Sequence, residues 1–136
     1  MKIMLDEGAK MPTRAHQWDA GLDLYAKEGG NICCCNKRIF DTGVHVQIPE
    51  GYVGFIKSKS GLMCKRSIVT DGTIDAHYTG YIKVCLFNHG SRSYEVKAGD
   101  KIAQLVIVPC CLPELELVDS LDQTDRGDNG FGSTGR

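Results

Sequence analysis

The 136-residue sequence has no run approaching the roughly 20 apolar residues needed to cross a bilayer, which excludes a helical membrane span. No apolar h-region follows Met1, so we expect a chain without a secretory signal, residing in the cytosol. Neither sign of charge dominates: 16 Lys and Arg face 17 Asp and Glu. Such a balance gives no electrostatic footing for duplex nucleic acid or an anionic membrane surface. Internal repeats, low-complexity tracts and interdomain linkers are also missing, which fits one compact domain. There is no C-x-x-C pair of the zinc type. The seven cysteines fall instead as a run (Cys33, Cys34, Cys35), an adjacent pair (Cys110, Cys111) and two singles (Cys64, Cys85). An odd count without a regular framework argues for reduced thiols.

Glycine, by contrast, is plentiful, with 16 residues. Many tight turns follow, and with them an all-β chain. Residues 1–5 read as a short strand, and 19–26 as another in which Leu22 and Leu24 point one way and Asp23 the other. Thr42, Val44, Val46 and Ile48 alternate against Gly43, His45 and Gln47. His45 sits on the outward set, and a single histidine there is assigned no role. Residues 52–56 form a further strand after the Pro49-Glu50-Gly51 turn. Residues 57–66 carry four cations without apolar periodicity, and predict a loop with at most one or two helical turns. It is either a solvated basic loop or an anion site of Lys59 with the Ser60 hydroxyl and backbone N–H groups. Residues 101–108 are nearly all apolar, predicting a strand buried on both faces, and Gln104 within them needs polar partners. Residues 112–118 predict one last strand.

The chain is organised around residues 69–90. Turn signals at Asp71-Gly72 and Thr79-Gly80 bracket Asp75 and Tyr78, and Ile82, Val84 and Leu86 then alternate. This pattern predicts a hairpin with one carboxylate and one aromatic ring at its mouth. A lone Asp23 on a strand's polar face is, by default, a solvated residue. The terminal stretch 126–136 is too glycine-rich for a stable helix or central strand. It reads either as a disordered tail or as a wrap for a phosphorylated aromatic ligand, since Arg126, Phe131, Ser133, Thr134 and many N–H groups lie among the glycines.

Five segments, in order, resemble the motifs of the trimeric dUTPase family: residues 20–24, 58–62, 72–80, 99–105 and 126–135. The resemblance covers nearly the whole chain. It implies an all-β fold, a distorted jelly-roll barrel or sandwich of the β-clip kind, spanning 1–118. Residues 119–136 would be a linker and a flexible glycine-rich arm that closes over an active site. It further implies a homotrimer with sites shared between subunits, Mg²⁺ as cofactor, and hydrolysis of dUTP to dUMP and pyrophosphate by water attacking the α-phosphorus.

The same resemblance distributes the roles. Asp75 would orient and deprotonate the water and hold the 3′-OH, and Gln104 would contact the α-phosphate region and help place the water. Asp23 would meet the metal, through water. Tyr78 would pack under the deoxyribose and exclude a 2′-OH, and the backbone around Gly72 and Lys83 would pair with uracil. Lys59, Ser60 and Gly61 from the second motif would bind substrate, as would Arg126, Gly132, Ser133 and Thr134, with Phe131 stacked on the base.

Two positions depart from the family pattern. Lys59 stands where Arg is usual, keeping the charge but losing the planar fork, and Asp128-Asn129 replaces small residues. A related deaminase of dCTP would need a glutamate after the central turn, where the sequence has Tyr81-Ile82-Lys83-Val84. A nucleotide-sensing regulator of a protein partner is a further alternative, although no long insertion between motifs supports a dedicated surface for one. A jelly-roll module without chemistry would leave Asp23, Asp75, Tyr78, Gln104 and Arg126 unexplained.

Overall fold

The computed structural model describes residues 1–130. Their strands are β1 (Lys2–Leu5), β2 (Gly21–Tyr25), β3 (Gly30–Ile32), β4 (Asn36–Gln47), β5 (Tyr52–Lys57), β6 (Ile68–Val69), β7 (Asp71–Ile74), β8 (Tyr81–Asn88), β9 (Tyr94–Val96) and β10 (Lys101–Pro109). A two-turn helix, α1 (Ser60–Arg66), fills the basic stretch, as its lack of longer periodicity predicts. Every pairing is antiparallel. One sheet has the order β1-β4-β8-β6, a second β2-β10-β5-β7, and β3 pairs with β9.

Alternation builds the core. In β8, Ile82, Val84 and Leu86 turn inward while Lys83 and Phe87 face out. Val44 and Val46 of β4 join them from the same sheet, and Leu24, Ile56 and Leu105 meet them from the other. The two four-stranded sheets thus form a sandwich of the jelly-roll kind, with β1, β6, β2 and β7 left as edges. Packing is close at Gly54, where an added Cβ would lie 2.7 Å from Ile48 Cδ1 and force that side chain to shift.

Two irregularities shape the strands. β4 bulges between Asp41 and His45. Gly43 sits there at φ +62°, and a Cβ would come within 2.8 Å of Ala9, so glycine serves both the backbone and the space. The second bulge lies in β10 between Lys101 and Ala103. It lets consecutive residues, Ile102 and Ala103, both face the core.

Three expectations change. The turn in the central stretch does not close a hairpin ladder: β7 pairs with β5 in one sheet, and β8 with β4 and β6 in the other. The turn therefore crosses between sheets, because β7's register partners are supplied by β5. β10 is not buried on both faces: Ile102, Ala103 and Leu105 are buried, whereas Val106, Ile107 and Val108 are only partly covered. Residues 112–118 form no strand, and Leu115 and Leu117 are fully exposed, because no strand among the described residues lies beside them. All seven cysteines are unbridged.

Candidate active site

Asp23 occupies the middle of β2, opposite Gln104 of β10. Its side chain points away from the core yet is 3% exposed, because other polar side chains close over it. Lys59 Nζ donates to Oδ1, and Lys101 Nζ, at 2.7 Å, donates to Oδ2. Gln104 Nε2 approaches Oδ1 at 3.4 Å. Burial alone would raise the carboxyl. The hydrogen bonds from Lys101 and Lys59, with the Lys59 charge, outweigh it and hold Asp23 below the ordinary aspartate value. The same contact raises Lys101. Gln104 is seated against Gly21, where a Cβ would lie 3.0 Å from its amide carbon. Ser60 and Gly61 lie beside this cluster in sequence, in the exposed first turn of α1, whose N-cap is Lys59.

A second group gathers around residues 75–80. Asp75, Tyr78, Gly80, Tyr81 and Lys83 line one cavity of about 340 Å³ together with Thr73 and Ile74. Tyr78 N donates to the Asp75 carbonyl at 3.2 Å, and the Tyr78 hydroxyl donates to the Tyr81 carbonyl at 3.1 Å. Gly80 leaves room for the ring, since a Cβ there would stand 2.5 Å from the Tyr78 hydroxyl. Lys83 lies 4.8 Å from the Tyr81 ring centroid. Its ammonium is raised above the ordinary lysine value, chiefly by hydrogen bonding to Tyr81. Gly72 lies on β7, facing Ile56.

These two groups do not meet within one chain. Asp23, Gln104, Lys57 and Asp71 form a single row across the second sheet. Three strand spacings carry the row about 14 Å, and the four further residues to Asp75 run about 13 Å along the chain, so the backbones at Asp23 and Asp75 are separated by about 20 Å along the sheet. Arg126 is in neither group: its Nε donates to the Asn129 carbonyl at 3.1 Å in an exposed turn. Phe131, Gly132, Ser133 and Thr134 lie outside the described residues.

Comparison with known proteins bears directly on this arrangement. The dUTPase family model matches residues 7–135. The deoxyuridine 5'-triphosphate nucleotidohydrolase of Arabidopsis thaliana is 45% identical over 132 residues, covering 96% of this chain and 80% of that protein. The chain belongs to the dUTPase family. Solved dUTPase structures are similar throughout. That of Staphylococcus bacteriophage 80alpha with dUPNHPP matches at a TM-score of 0.93 and 34% identity, over 99% of this chain and 98% of the other. A variant dUTPase from phage phi11 of S. aureus, described with a structural Mg(II) ion, matches at 0.83 and 33%, over 90% and 98%.

As a dUTPase, the chain holds two features that sequence reasoning passed over. Lys101 bonds the second oxygen of Asp23, and its only sequence signal is a cation opening an apolar strand. His45 Nδ1 lies 2.8 Å from the Thr79 carbonyl, within the turn that carries Asp75 and Tyr78. A histidine alternating with valines carries no signal of that contact.

Proposed function

We propose that this chain hydrolyses dUTP to dUMP and pyrophosphate, water attacking the α-phosphorus, and so keeps uracil out of DNA and supplies dUMP for dTMP synthesis. The observation that carries this reading is the cavity in which one turn brings Asp75, Tyr78 and Lys83 together, in a chain of the dUTPase family. Asp75 orients the water and accepts its proton, and the short turn fixes its distance from the sugar. Tyr78 packs under the deoxyribose, where a 2′-OH has no space. Fixed backbone donors and acceptors near Gly72 and Lys83 read the uracil edge, a polar match that discriminates better than lost apolar contact. Gln104 and the Lys59, Lys101 cations serve the phosphate end, where charge develops in phosphoryl transfer. Ser60, Gly61 and Arg126, with residues 131–134 of the arm, add phosphate and base contacts.

Each complete site is built from several chains of a homotrimer. The separation of the Asp23 and Asp75 groups supports this, as do the leucines left bare along residues 112–121. A monomer is then inactive.

Mg²⁺ is the metal this reading calls for. Asp23 is a single carboxylate, and no cluster of three His, Cys, Asp or Glu surrounds it among the described residues. Both of its oxygens already accept from ammonium groups. That donor set fits an ion held mainly by the triphosphate and its waters, with Asp23 touching the water shell, rather than a protein cage. When bound, the ion neutralises charge on the phosphates. The reaction belongs to the cytoplasm.

Pyrophosphate release with dUTP, beside dCTP, dTTP and UTP and with or without Mg²⁺, tests the proposal. Turnover of dUTP alone, abolished by Asp75→Asn, is the expected outcome. Tight binding of dUTP without turnover overturns it.

A further inference from the structure

The turn at residues 75–80 lies between two sheets without a ladder of its own, so its position depends on side-chain ties. Two reach it from outside. His77 Nε2 lies 3.3 Å from Glu50 Oε1, but both side chains are in open solvent. His45 is different. Its ring is 17% exposed, stands on β4 beside the bulge, and places Nδ1 2.8 Å from the Thr79 carbonyl. On its other side, Nε2 lies 3.2 Å from Asp6 Oδ1, in the loop after β1. The ring also meets the edge of Tyr81 at 6.0 Å between centroids, and Tyr81 lines the Asp75 cavity.

Resting on the reading of this turn as the substrate-recognition element, we infer that His45 is a positioning residue, clamped between the Asp6 carboxylate and the Thr79 carbonyl so that it sets where Asp75 and Tyr78 stand. Both ring nitrogens face acceptors. Only the imidazolium, which donates from both, satisfies the two contacts at once. A neutral ring keeps one contact and turns a lone pair toward the other oxygen.

The surroundings agree. The charged and titratable groups around the ring are Asp6 from the loop after β1, Lys2 of β1 across the cavity they share, Asp41 of β4 and Tyr81 of β8. The Thr79 carbonyl outweighs partial burial, and the Asp6 and Asp41 carboxylates add to it, so the imidazole is raised above its ordinary value. Deprotonation therefore releases the turn on one side as pH rises through that raised value. Substrate binding weakens in the same range, and turnover falls with it, because Asp75 rides on the released turn.

The test separates a positioning role from a structural one. His45→Ala should raise KM for dUTP about tenfold or more, the weight of one hydrogen bond involving a charged group, and lower kcat as well, because Asp75 rides on the same turn. His45→Asn places an amide N–H where Nδ1 stood and should restore most of the KM, although it cannot titrate. In wild type, KM should climb with pH through the His45 titration, and Asp6→Asn should move that limb to lower pH. Equal KM values for wild type, His45→Ala and His45→Asn overturn the inference, as does an Asn variant no better than Ala. NMR titration keeps the two readings distinct: the Thr79 and Gly80 amides should shift with the His45 midpoint whether or not dUTP is turned over. Amides that ignore that midpoint overturn the inference even in an active enzyme.

Discussion

Lys59 and Lys101 grip the same carboxylate from opposite oxygens, so Asp23 joins the loop ahead of α1 to the start of β10. Removing the acid leaves two ammonium groups side by side, Lys59 largely covered and Lys101 half-exposed to solvent that screens it. Asp23→Ala should therefore cost about 1–2 kcal/mol, less than a fully buried pair. Urea unfolding at neutral pH measures it. Lys59→Arg keeps the charge and should cost little, whereas Lys59→Met should lose a substantial part of the same stability.

The acid limb of stability follows from the same contact. The folded Asp23 carboxyl lies below its ordinary value of 3.8. Its contribution is thus fully present above that value and disappears as pH falls through the depressed one. Asp23→Asn should flatten the stability profile below about pH 4, as followed by thermal unfolding across pH. His45 acts in the opposite sense. Its raised value gives a contribution that is complete below its ordinary 6.5 and is lost as pH rises through the folded value.

Gly21→Ala should act on chemistry rather than on the fold. The added methyl would lie 3.0 Å from the Gln104 amide carbon, so Gln104 must yield by a few tenths of an ångström. Misplacement of a group that orients the attacking water should lower kcat about tenfold. Thermal stability should barely move. Steady-state kinetics beside a melting curve separates the two effects.

Gly80→Ala should loosen sugar discrimination. Its methyl would displace the Tyr78 hydroxyl end, which now bonds the Tyr81 carbonyl. A ring swung out of place no longer blocks a 2′-OH. The ratio of kcat/KM for dUTP over UTP should fall about tenfold, as measured by parallel pyrophosphate release.

Much of this was legible from local pattern. Alternation at Ile82, Val84 and Leu86 marks β8, and the unpatterned cations of 57–66 mark a short helical turn. Asp75 and Tyr78 declare themselves by the turn signals that flank them. What escaped was pairing. Turn chemistry between 75 and 80 is the same whether its strands pair with each other or with strands of two sheets, so the hairpin was a natural misreading. Strand propensity at 112–118 likewise needs a neighbour, and the described residues supply none. Lys101 and His45 act through contacts 78 and 34 residues away in sequence, and no local rule encodes such distances.

The bulge in β10 has a consequence for any redesign of this centre. In a regular strand, residues three apart point to opposite sides. Lys101 and Gln104 are three apart, yet both reach Asp23. One unpaired residue shifts the phase of everything before it and brings the two onto one side. The phosphate-end constellation is therefore written partly in the chain's count, not only in its side chains. Straightening the ladder with Ile102 kept would send the Lys101 cation to the wrong side of the sheet.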